Sequence, residues 1–483
     1  MKKIVCFIMG IVLILPIFAA CGGGTTGKDG DVPKLVWLTF TDEQYTDLPL
    51  INEELSKLTR EKIGADVEIR MLDTGAYKER LTMNMASNTA FDLCFVGFLY
   101  PYHEAVEMGG LMEIGSLLDE HAPELMSDMP QYVIDSITKD EGIYAIPNVQ
   151  IMAFGDGNYI RSDLVEKYSF DISGVKSLTD LEPILQIIKD NEPELVPSIR
   201  RNAGSFRKDG DTHYISINAS AVYLNDKTNE VITYHEIPGA FESAVQSHEW
   251  YKKGFYRSDL ATAESGGGDS YYRVGRYATI GTTFKPGVEG EIKAETGYDY
   301  TYLYSEEPVM SHTSPIETCI GVSRTSKNPE LAVKFINLIN TDPEVYNLIC
   351  FGVEGKHYTW LDDSHISPIR DSGYNPNASW KFGNQFNAYL TEGQDEDSWI
   401  KTKEINDNSV KSPLLGISFE IDAIGPELTQ IEKIQREYID AWVNKGIENP
   451  ADYWEDYKAA LERAGIEKVK EYYQEQVDNF LGK

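Results

Sequence analysis

Two hydrophobic periods alternate along the first 150 residues of the chain. The run KLVWLTF is typical of a buried strand, LPLINEELSKLTREKIG has apolar residues at helical spacing and ends at a glycine, and ADVEIRML indicates another strand. This order predicts two parallel strands joined by a right-handed crossover helix. The helix pattern YKERLTMNMAS and the strand patterns FDLCFVGF and EGIYAIPNV continue the same α/β arrangement.

The pattern changes after about residue 150. A helix in LTDLEPILQIIKDN is followed by short strand patterns in THYISINA, AVYLND and EVITYHEIP, and the last hundred residues are mainly helical, with a break at Asn449-Pro450. A chain that leaves one α/β region, enters a second and returns predicts two lobes around a cleft. The predicted boundaries are 34–147 plus 283–340 for the first lobe and 148–282 plus 341–483 for the second, including a helical C-terminal domain from about residue 380.

The N-terminus has the pattern of a lipoprotein signal. A basic start, MKK, precedes the apolar run IVCFIMGIVLILPIFAA and then Cys21, with Phe18 where the usual signal has leucine. We expect residues 1–20 to be the signal peptide, Cys21 to carry the lipid and residues 21–33 to form a flexible tether. The protein would then work outside the cytoplasm, anchored to the outer face of the cell membrane. A free cysteine in a leader is the alternative.

Charge and aromatic content narrow the ligand class. A formal net charge of −33 disfavours nucleic acid as a partner. The 29 tyrosines and 7 tryptophans suit ligands with apolar faces and hydroxyl groups, such as sugars, although most of these rings can equally be packing residues. Cys94, Cys319 and Cys350 have no spacing that indicates a disulfide framework or a metal site, and Cys94 and Cys350 lie in apolar runs.

Motifs of catalysis are missing from the sequence. Neither a G-x-S-x-G nucleophile elbow, an H-E-x-x-H metal motif nor a phosphate-binding G-x-x-x-x-G-K-[ST] loop occurs. We therefore expect a binding protein that is not an enzyme and needs no cofactor or metal. A glycosidase-like carboxylate pair stays open as an alternative, because the 77 acidic residues make such pairs common.

Several segments resemble the extracellular solute-binding lipoproteins of ABC importers. These segments are MNMASNTAFDLCFVGF, EAVEMGGLMEIGSLLDEHAPEL, EGIYAIPNV, YIRSDLVEKYSFD, SKNPELAVKFINLINTDPEVYNLICFGVEGKHY and GNQFNAYLTEGQDEDSW with the closing helices. The last two are similar to a Gram-positive subgroup whose C-terminus is a domain of unknown function. The resemblance implies a type II periplasmic-binding-protein-like α/β fold, with a mainly parallel sheet flanked by helices in each lobe. It also implies a monomeric receptor that closes on an oligosaccharide and delivers it to a membrane permease.

Candidate ligand-binding residues follow from topology, because sites in open α/β sheets lie beyond the carboxyl ends of strands. The candidates from the first lobe and the crossings are Thr41, Asp42, Glu43, Phe98, Tyr100, Asn148, Gln150, Asn158, Tyr159, Arg161, Lys285 and Glu317. Across the cleft we expect Trp250, Tyr272 and Arg273, and Trp380 could cap the cleft. Arg161 can equally be an ion-pair partner of Asp163, and Trp250 a buried helix residue.

The hypothesis is a lipid-anchored receptor for a carbohydrate importer. A secreted glycan-acting enzyme, a peptide-binding receptor of the same fold and a surface adhesin or sensor are the alternatives. The enzyme would place two carboxylates opposite each other in the cleft.

Overall fold

The computed structural model describes residues 32–139, 141–199, 206–209, 211–218, 222–262 and 270–483. The predicted signal peptide, Cys21 and nearly all of the predicted tether lie outside these residues. Within them, no helix combines the length and the apolar character that a membrane crossing requires.

The first sheet is built around the strand that the opening apolar run predicts. In the described part of the chain its strands are, in spatial order, Asp66–Asp73, Lys34–Thr41, Leu93–Gly97, Thr318–Val322 and Ala145–Pro147. Lys34–Thr41 is parallel to both of its neighbours, whereas Thr318–Val322 is antiparallel to both of its own. Because Lys34–Thr41 is covered on both faces, six of its eight residues are buried, and the buried positions do not simply alternate.

Helices from two separate parts of the chain cover the first sheet and form the first lobe. They are Leu48–Ile63, Tyr77–Ala86, Tyr102–Glu107, Gly115–His121, Pro123–Asp128, Gln131–Ile137, Pro329–Thr341 and Pro343–Phe351. The helix Leu48–Ile63 ends as predicted at Gly64, whose φ of 73° is in the left-handed region that favours glycine. Cys94, Cys319 and Cys350 are free and buried in this core, and burial raises the pKa of each thiol.

The second lobe has a mixed sheet. Its strands are, in order, Tyr300–Ser305, Asp156–Arg161, Tyr277–Thr283 and Val196–Ser198, and only the last pair is parallel among the described pairings. Its helices are Ser162–Tyr168, Glu182–Asn191, Ala240–Lys253, Ser270–Arg273 and Val288–Thr296. Both lobes thus contain more antiparallel pairing than the expected mainly parallel sheets.

A C-terminal subdomain has a separate core. It combines the antiparallel strands Phe206–Asp209, Thr212–Asn218, Val222–Asn225 and Val231–Thr233 with the helical segments Gly425–Ile439, Asp440–Asn444, Pro450–Arg463 and Ile466–Phe480. The predicted helix break is confirmed, since the Asn449 side chain accepts a hydrogen bond from the backbone N–H of Ala451 at 3.2 Å. The short strands thus pack on helices that follow them by some 200 residues in the chain.

Short elements connect the lobes. Val309–Met310 pairs with Val410–Lys411, and Phe154 forms a bridge with Val309. The helix Ser398–Asn408 places the Asn406 side-chain oxygen 2.7 Å from the backbone nitrogen of Met152, which fixes the first crossing. The remaining strands are Thr138–Lys139, Gly142–Ile143, Tyr358–Trp360, His365–Pro368 and Leu390–Thr391.

The lobe boundaries differ from those predicted. Tyr300–Ser305 pairs with Asp156–Arg161, and Val288 packs in the second lobe, so residues 288–305 belong to the second lobe and not the first. In contrast, Pro343–Phe351 and Phe382 pack in the core of the first lobe, whereas the sequence predicts them in the second. The helical C-terminal core begins near Leu414 rather than near residue 380.

Two histidines of the first lobe, the buried His312 and the half-buried His103, lie near the C-terminal subdomain. His312 is 5% exposed, and its ring lies edge-on to that of Phe419 with 5.5 Å between centroids. Neither ring nitrogen of His103 has a hydrogen-bond partner among the described residues. Burial lowers the pKa of both imidazoles to about 4, and the positive charge of Lys139 adds to the effect on His103.

Because the pKa values of these two histidines are lowered in the folded chain, we expect the free energy of unfolding to fall as the pH decreases from 6.5 to 4. An unfolded histidine takes up its proton near pH 6.5, whereas the folded imidazoles stay neutral until about pH 4, so acid favours the unfolded chain. At pH 5 each histidine should remove about 2 kcal/mol from the free energy of unfolding. Urea denaturation at pH 7.5 and 5.0 should show this loss reduced in H103Q/H312Q. An equal loss in the wild type and the double variant would contradict the assignment.

Candidate functional site

Three polypeptide segments meet at one edge of the first sheet. Lys34–Thr41 and Leu93–Gly97 are parallel and end there, and Thr318–Val322 begins there because Thr318 pairs with Gly97. The backbone N–H of Phe98 donates to the Glu317 carbonyl at 2.9 Å. Gly97 permits this approach, since a Cβ at this position would lie 1.9 Å from the Glu317 carbonyl oxygen. Thr41, Phe98 and Glu317 therefore lie at the same edge, as the topology predicted.

Phe40, Phe98 and Trp380 form a cluster that we call the aromatic platform. The ring centroid of Phe98 lies 5.7 Å from that of Phe40 and 6.0 Å from that of Trp380, and Phe40 and Trp380 are also 6.0 Å apart. Phe40 is only 6% exposed, whereas Phe98 is 51% exposed and Trp380 is half-buried. A buried ring thus supports two accessible rings, which offer an apolar surface to the face of a ligand ring.

A lysine lies beneath the aromatic platform. Lys381 is 3% exposed, and its ammonium nitrogen lies 2.9 Å from the carbonyl oxygen of Phe40 and 4.6 Å from the centroid of the Phe40 ring. Burial lowers the pKa of Lys381 to about 8. The sequence analysis missed Phe40 and Lys381, although the tetrapeptide SWKF, with a lysine between two aromatic residues, carries the signal.

The loop after the first strand contributes carboxylates. Thr41 is 9% exposed, and its hydroxyl donates to the Glu43 carbonyl at 3.1 Å and accepts from the Glu43 N–H at 3.0 Å, so it shapes the loop. The side chains of Asp42 and Glu43 are exposed. Glu43 forms an ion pair with Arg273, which lies on the short helix Ser270–Arg273 of the second lobe. The predicted residues Glu43 and Arg273 are therefore in contact across the two lobes.

Polar side chains also line the first crossing. Asn148 is 1% exposed, and neither its amide nitrogen nor its amide oxygen has a hydrogen-bond partner in the described part of the chain. Gln150 is 7% exposed and donates to the Thr318 hydroxyl at 2.9 Å, so it joins the crossing to the sheet. Burial raises the pKa of the half-buried Glu317, while a 2.8 Å hydrogen bond from Thr313 opposes that shift.

The second lobe contributes charged groups that are largely paired. Lys285 is 5% exposed, and its ammonium nitrogen lies 2.8 Å from a Glu291 carboxylate oxygen. Burial raises the pKa of Glu295, which shares a hydrogen bond with Tyr272, and burial also raises the pKa of Tyr272 well above its usual value. Lys285 and Tyr272 are thus engaged within their own lobe.

Two predicted ligand residues are core residues instead. Tyr100 is 0% exposed, and its hydroxyl lies 2.8 Å from the sulfur of Met108. Trp250 is 2% exposed, packs against Phe255 and donates from its indole nitrogen to Glu182 at 3.0 Å. The predictions for Tyr100 and Trp250 fail because large rings more often fill cores than clefts.

Two residues after the first crossing are also structural. Arg161 is 7% exposed and binds the Asp163 carboxylate through two hydrogen bonds, of 3.0 and 2.6 Å, which matches the alternative that the sequence left open. Tyr159 is 0% exposed and packs with Tyr302. Asn158, by contrast, is half-buried on the same strand, next to the exposed backbone of Gly281.

Comparison with known proteins supports this architecture. Residues 413–482 match the family model described as a domain of unknown function, DUF3502. In an alignment of 487 positions that covers 98% of this chain and 96% of the relative, the chain is 25% identical to a carbohydrate ABC transporter substrate-binding protein of Streptococcus pneumoniae.

Crystal structures of the N-glycan transport solute-binding protein NgtS from Streptococcus pneumoniae are similar in fold. The comparison with one structure has a TM-score of 0.79 at 22% identity and covers 93% of this chain and 99% of that chain. The complex of NgtS with Man1GlcNAc has a TM-score of 0.78 at 23% identity, covering 93% of this chain and all of that chain. The chain therefore has the fold of ABC-importer solute-binding proteins and carries a DUF3502 domain, which confirms the resemblance that the sequence motifs indicated.

Proposed function

We propose that this chain is a lipid-anchored extracellular receptor that captures an oligosaccharide and delivers it to the permease of an ABC importer. The observation that carries this proposal is the aromatic platform, whose two accessible rings lie at the same end of the first sheet as the loop that bears Asp42 and Glu43. Sugars combine an apolar ring face with peripheral hydroxyls, so they suit rings flanked by carboxylates and amides. The carbohydrate-binding name of the relative supports the same ligand class.

Capture by lobe closure is the mechanism that this architecture favours. The ion pair between Glu43 and Arg273 joins the two lobes, while the crossing through residues 147–156 is held to the sheet by Gln150. A ligand that touches the platform and the second lobe together would stabilise the closed arrangement by its differential affinity for that state. We infer that the permease reads this closed state, so that transport needs no chemical change in the sugar. The receptor is proposed to act without catalysis and as a monomer.

The proposed function predicts saturable binding without turnover. We would titrate the detergent-solubilised full chain with Man1GlcNAc, Man5GlcNAc and short peptides in a calorimeter. A saturable heat of binding is expected with a glycan and not with the peptides. A glycan at a hundred times its dissociation constant should add about 2.7 kcal/mol to the free energy of unfolding. Mass spectrometry after long incubation should recover the glycan intact. A shortened product would support the enzyme alternative, and binding of peptides alone would support a peptide receptor.

Substitutions in the aromatic platform should weaken glycan binding. We expect F98A and W380A to raise the dissociation constant for the bound glycan about tenfold, because each removes a ring face from the ligand. W360A is the matched control, since Trp360 is 37% exposed and, among the described residues, its ring packs on those of Tyr358 and Tyr389 rather than on the platform. Calorimetry should find W360A unchanged. Equal affinities for F98A, W380A and the wild type would remove the platform from the site.

Charge reversal tests whether the ion pair between Glu43 and Arg273 stabilises the closed arrangement of the lobes. E43R and R273E each place like charges together, which disfavours the closed arrangement and should weaken glycan affinity about two- to fivefold. The exchanged pair E43R/R273E should restore affinity, because the attraction is the same with the charges swapped. Small-angle X-ray scattering should show a larger radius of gyration for the single variants than for the wild type and the exchanged pair. A double variant as weak as the single ones would argue against a direct pair.

A further inference from the structure

Lys381 is a buried cation without a carboxylate partner. No Asp or Glu oxygen lies within ion-pair distance of its ammonium group in the described part of the chain. Its contacts are the Phe40 carbonyl oxygen at 2.9 Å, the Phe40 ring centroid at 4.6 Å and the Phe382 ring centroid at 5.1 Å. Removing an ammonium group from water is costly unless hydrogen bonds and ring contacts compensate. A norleucine-like side chain of the same length would avoid that cost, so the charge itself requires a reason.

We propose that Lys381 is a positioning residue of the ligand site, whose ammonium charge holds the aromatic platform in the geometry that stacks on a sugar ring. This inference rests on the proposed glycan-binding function of the platform. Lys381 itself is too buried to touch a ligand, so it acts through Phe40 and through Trp380, its neighbour in the chain.

The platform is assembled from distant segments, which explains why a contact such as that between Lys381 and Phe40, here called the lysine tie, is needed. Phe40, Phe98 and Trp380 come from three segments that are far apart in the chain, and the bond from Lys381 to Phe40 spans 341 residues. Phe40 is the shared base of the cluster, since its ring contacts those of Phe95, Phe98 and Trp380. The lysine therefore fixes the segment Ser379–Lys381 to the end of the strand Lys34–Thr41. Without the lysine tie, we expect the indole of Trp380 to shift relative to the ring of Phe98.

The charge on Lys381 can be removed within an accessible pH range. Burial lowers its pKa to about 8, while Asp42 from the loop after the first strand and Cys350 from the helix Pro343–Phe351 oppose that shift. Above pH 8 the neutral amine can still donate to the Phe40 carbonyl, but it loses the attraction of a cation for the ring. Affinity for a glycan should therefore fall as the pH rises from 7 to 9.5.

The test compares glycan affinity across this pH range for four versions of the full chain. With Man1GlcNAc and Man5GlcNAc as probes, calorimetry of the wild type should show affinity about tenfold weaker at pH 9.5 than at pH 7. K381M should be about tenfold weaker at pH 7 and independent of pH, whereas K381R should stay tight throughout. The control K403M should behave as the wild type, because Lys403 lies 4.8 Å from the Phe386 ring centroid on an exposed helix face.

A second readout needs no ligand. The fluorescence emission of Trp380 is obtained as the difference between the wild type and W380F. This emission should change with pH around a midpoint near pH 8, and it should not change with pH in chains that carry K381R or K381M. Titration of this emission without binding of any glycan would overturn the proposed function and leave the lysine tie intact. Glycan binding that is independent of pH in the wild type, with no titration of the emission, would overturn the role of Lys381 and leave the function intact.

Discussion

The site depends on the interior position of the strand Lys34–Thr41, which is paired on both sides and buried on both faces. An interior strand has its backbone paired on each side: Trp37 and Leu38 pair with Leu93–Gly97, and the carboxyl end, Phe40 and Thr41, pairs with Asp66–Asp73. The last residues of this strand, Phe40 and Thr41, therefore present a fixed edge. Phe98 and Trp380 pack on the ring of Phe40, and Glu43 continues from Thr41 toward the second lobe. A rigid edge of this kind can hold a ligand ring in one orientation.

Local periodicity predicts the first lobe well because neighbouring elements in the sequence are neighbours in space. The strand, helix and strand between residues 34 and 73 lie where the hydrophobic pattern places them, and the helix ends at Gly64 as expected. The same topological rule brings Thr41 and Phe98 to one edge, and the comparisons confirm the fold class. Trp380 lies beside Phe98 even though nothing in the local sequence specifies that contact. The segment that follows the helix Pro343–Phe351 brings Trp380 back to the first sheet.

Long-range pairing is where sequence reasoning fails. Strand Tyr300–Ser305 has the same pattern whether it joins the first or the second sheet, and only its pairing with Asp156–Arg161 decides between them. Individual side chains carry the same ambiguity. Trp250 and Arg161 occupy positions that topology allows near a cleft, yet the indole fills a core and the guanidinium binds Asp163 and the Gly275 carbonyl. Lys381 is the converse case, since lysine is usually exposed and the flanking aromatic residues of SWKF are the local sign that it is buried beneath aromatic rings.

The balance of contacts between the lobes favours a receptor that opens and closes. Arg273 and Glu43 are 35% and 42% exposed, so water screens their attraction, and such pairs contribute at most about 1 kcal/mol. Arg370 adds hydrogen bonds of 3.0 Å to the carbonyl oxygens of Arg273 and Glu295, which also involve exposed groups. Contacts of this strength select an orientation of the lobes without locking it. On the proposed function, a sugar that stacks on Phe98 and Trp380 and reaches the second lobe would supply most of the free energy of closure, and closure would then respond to the ligand.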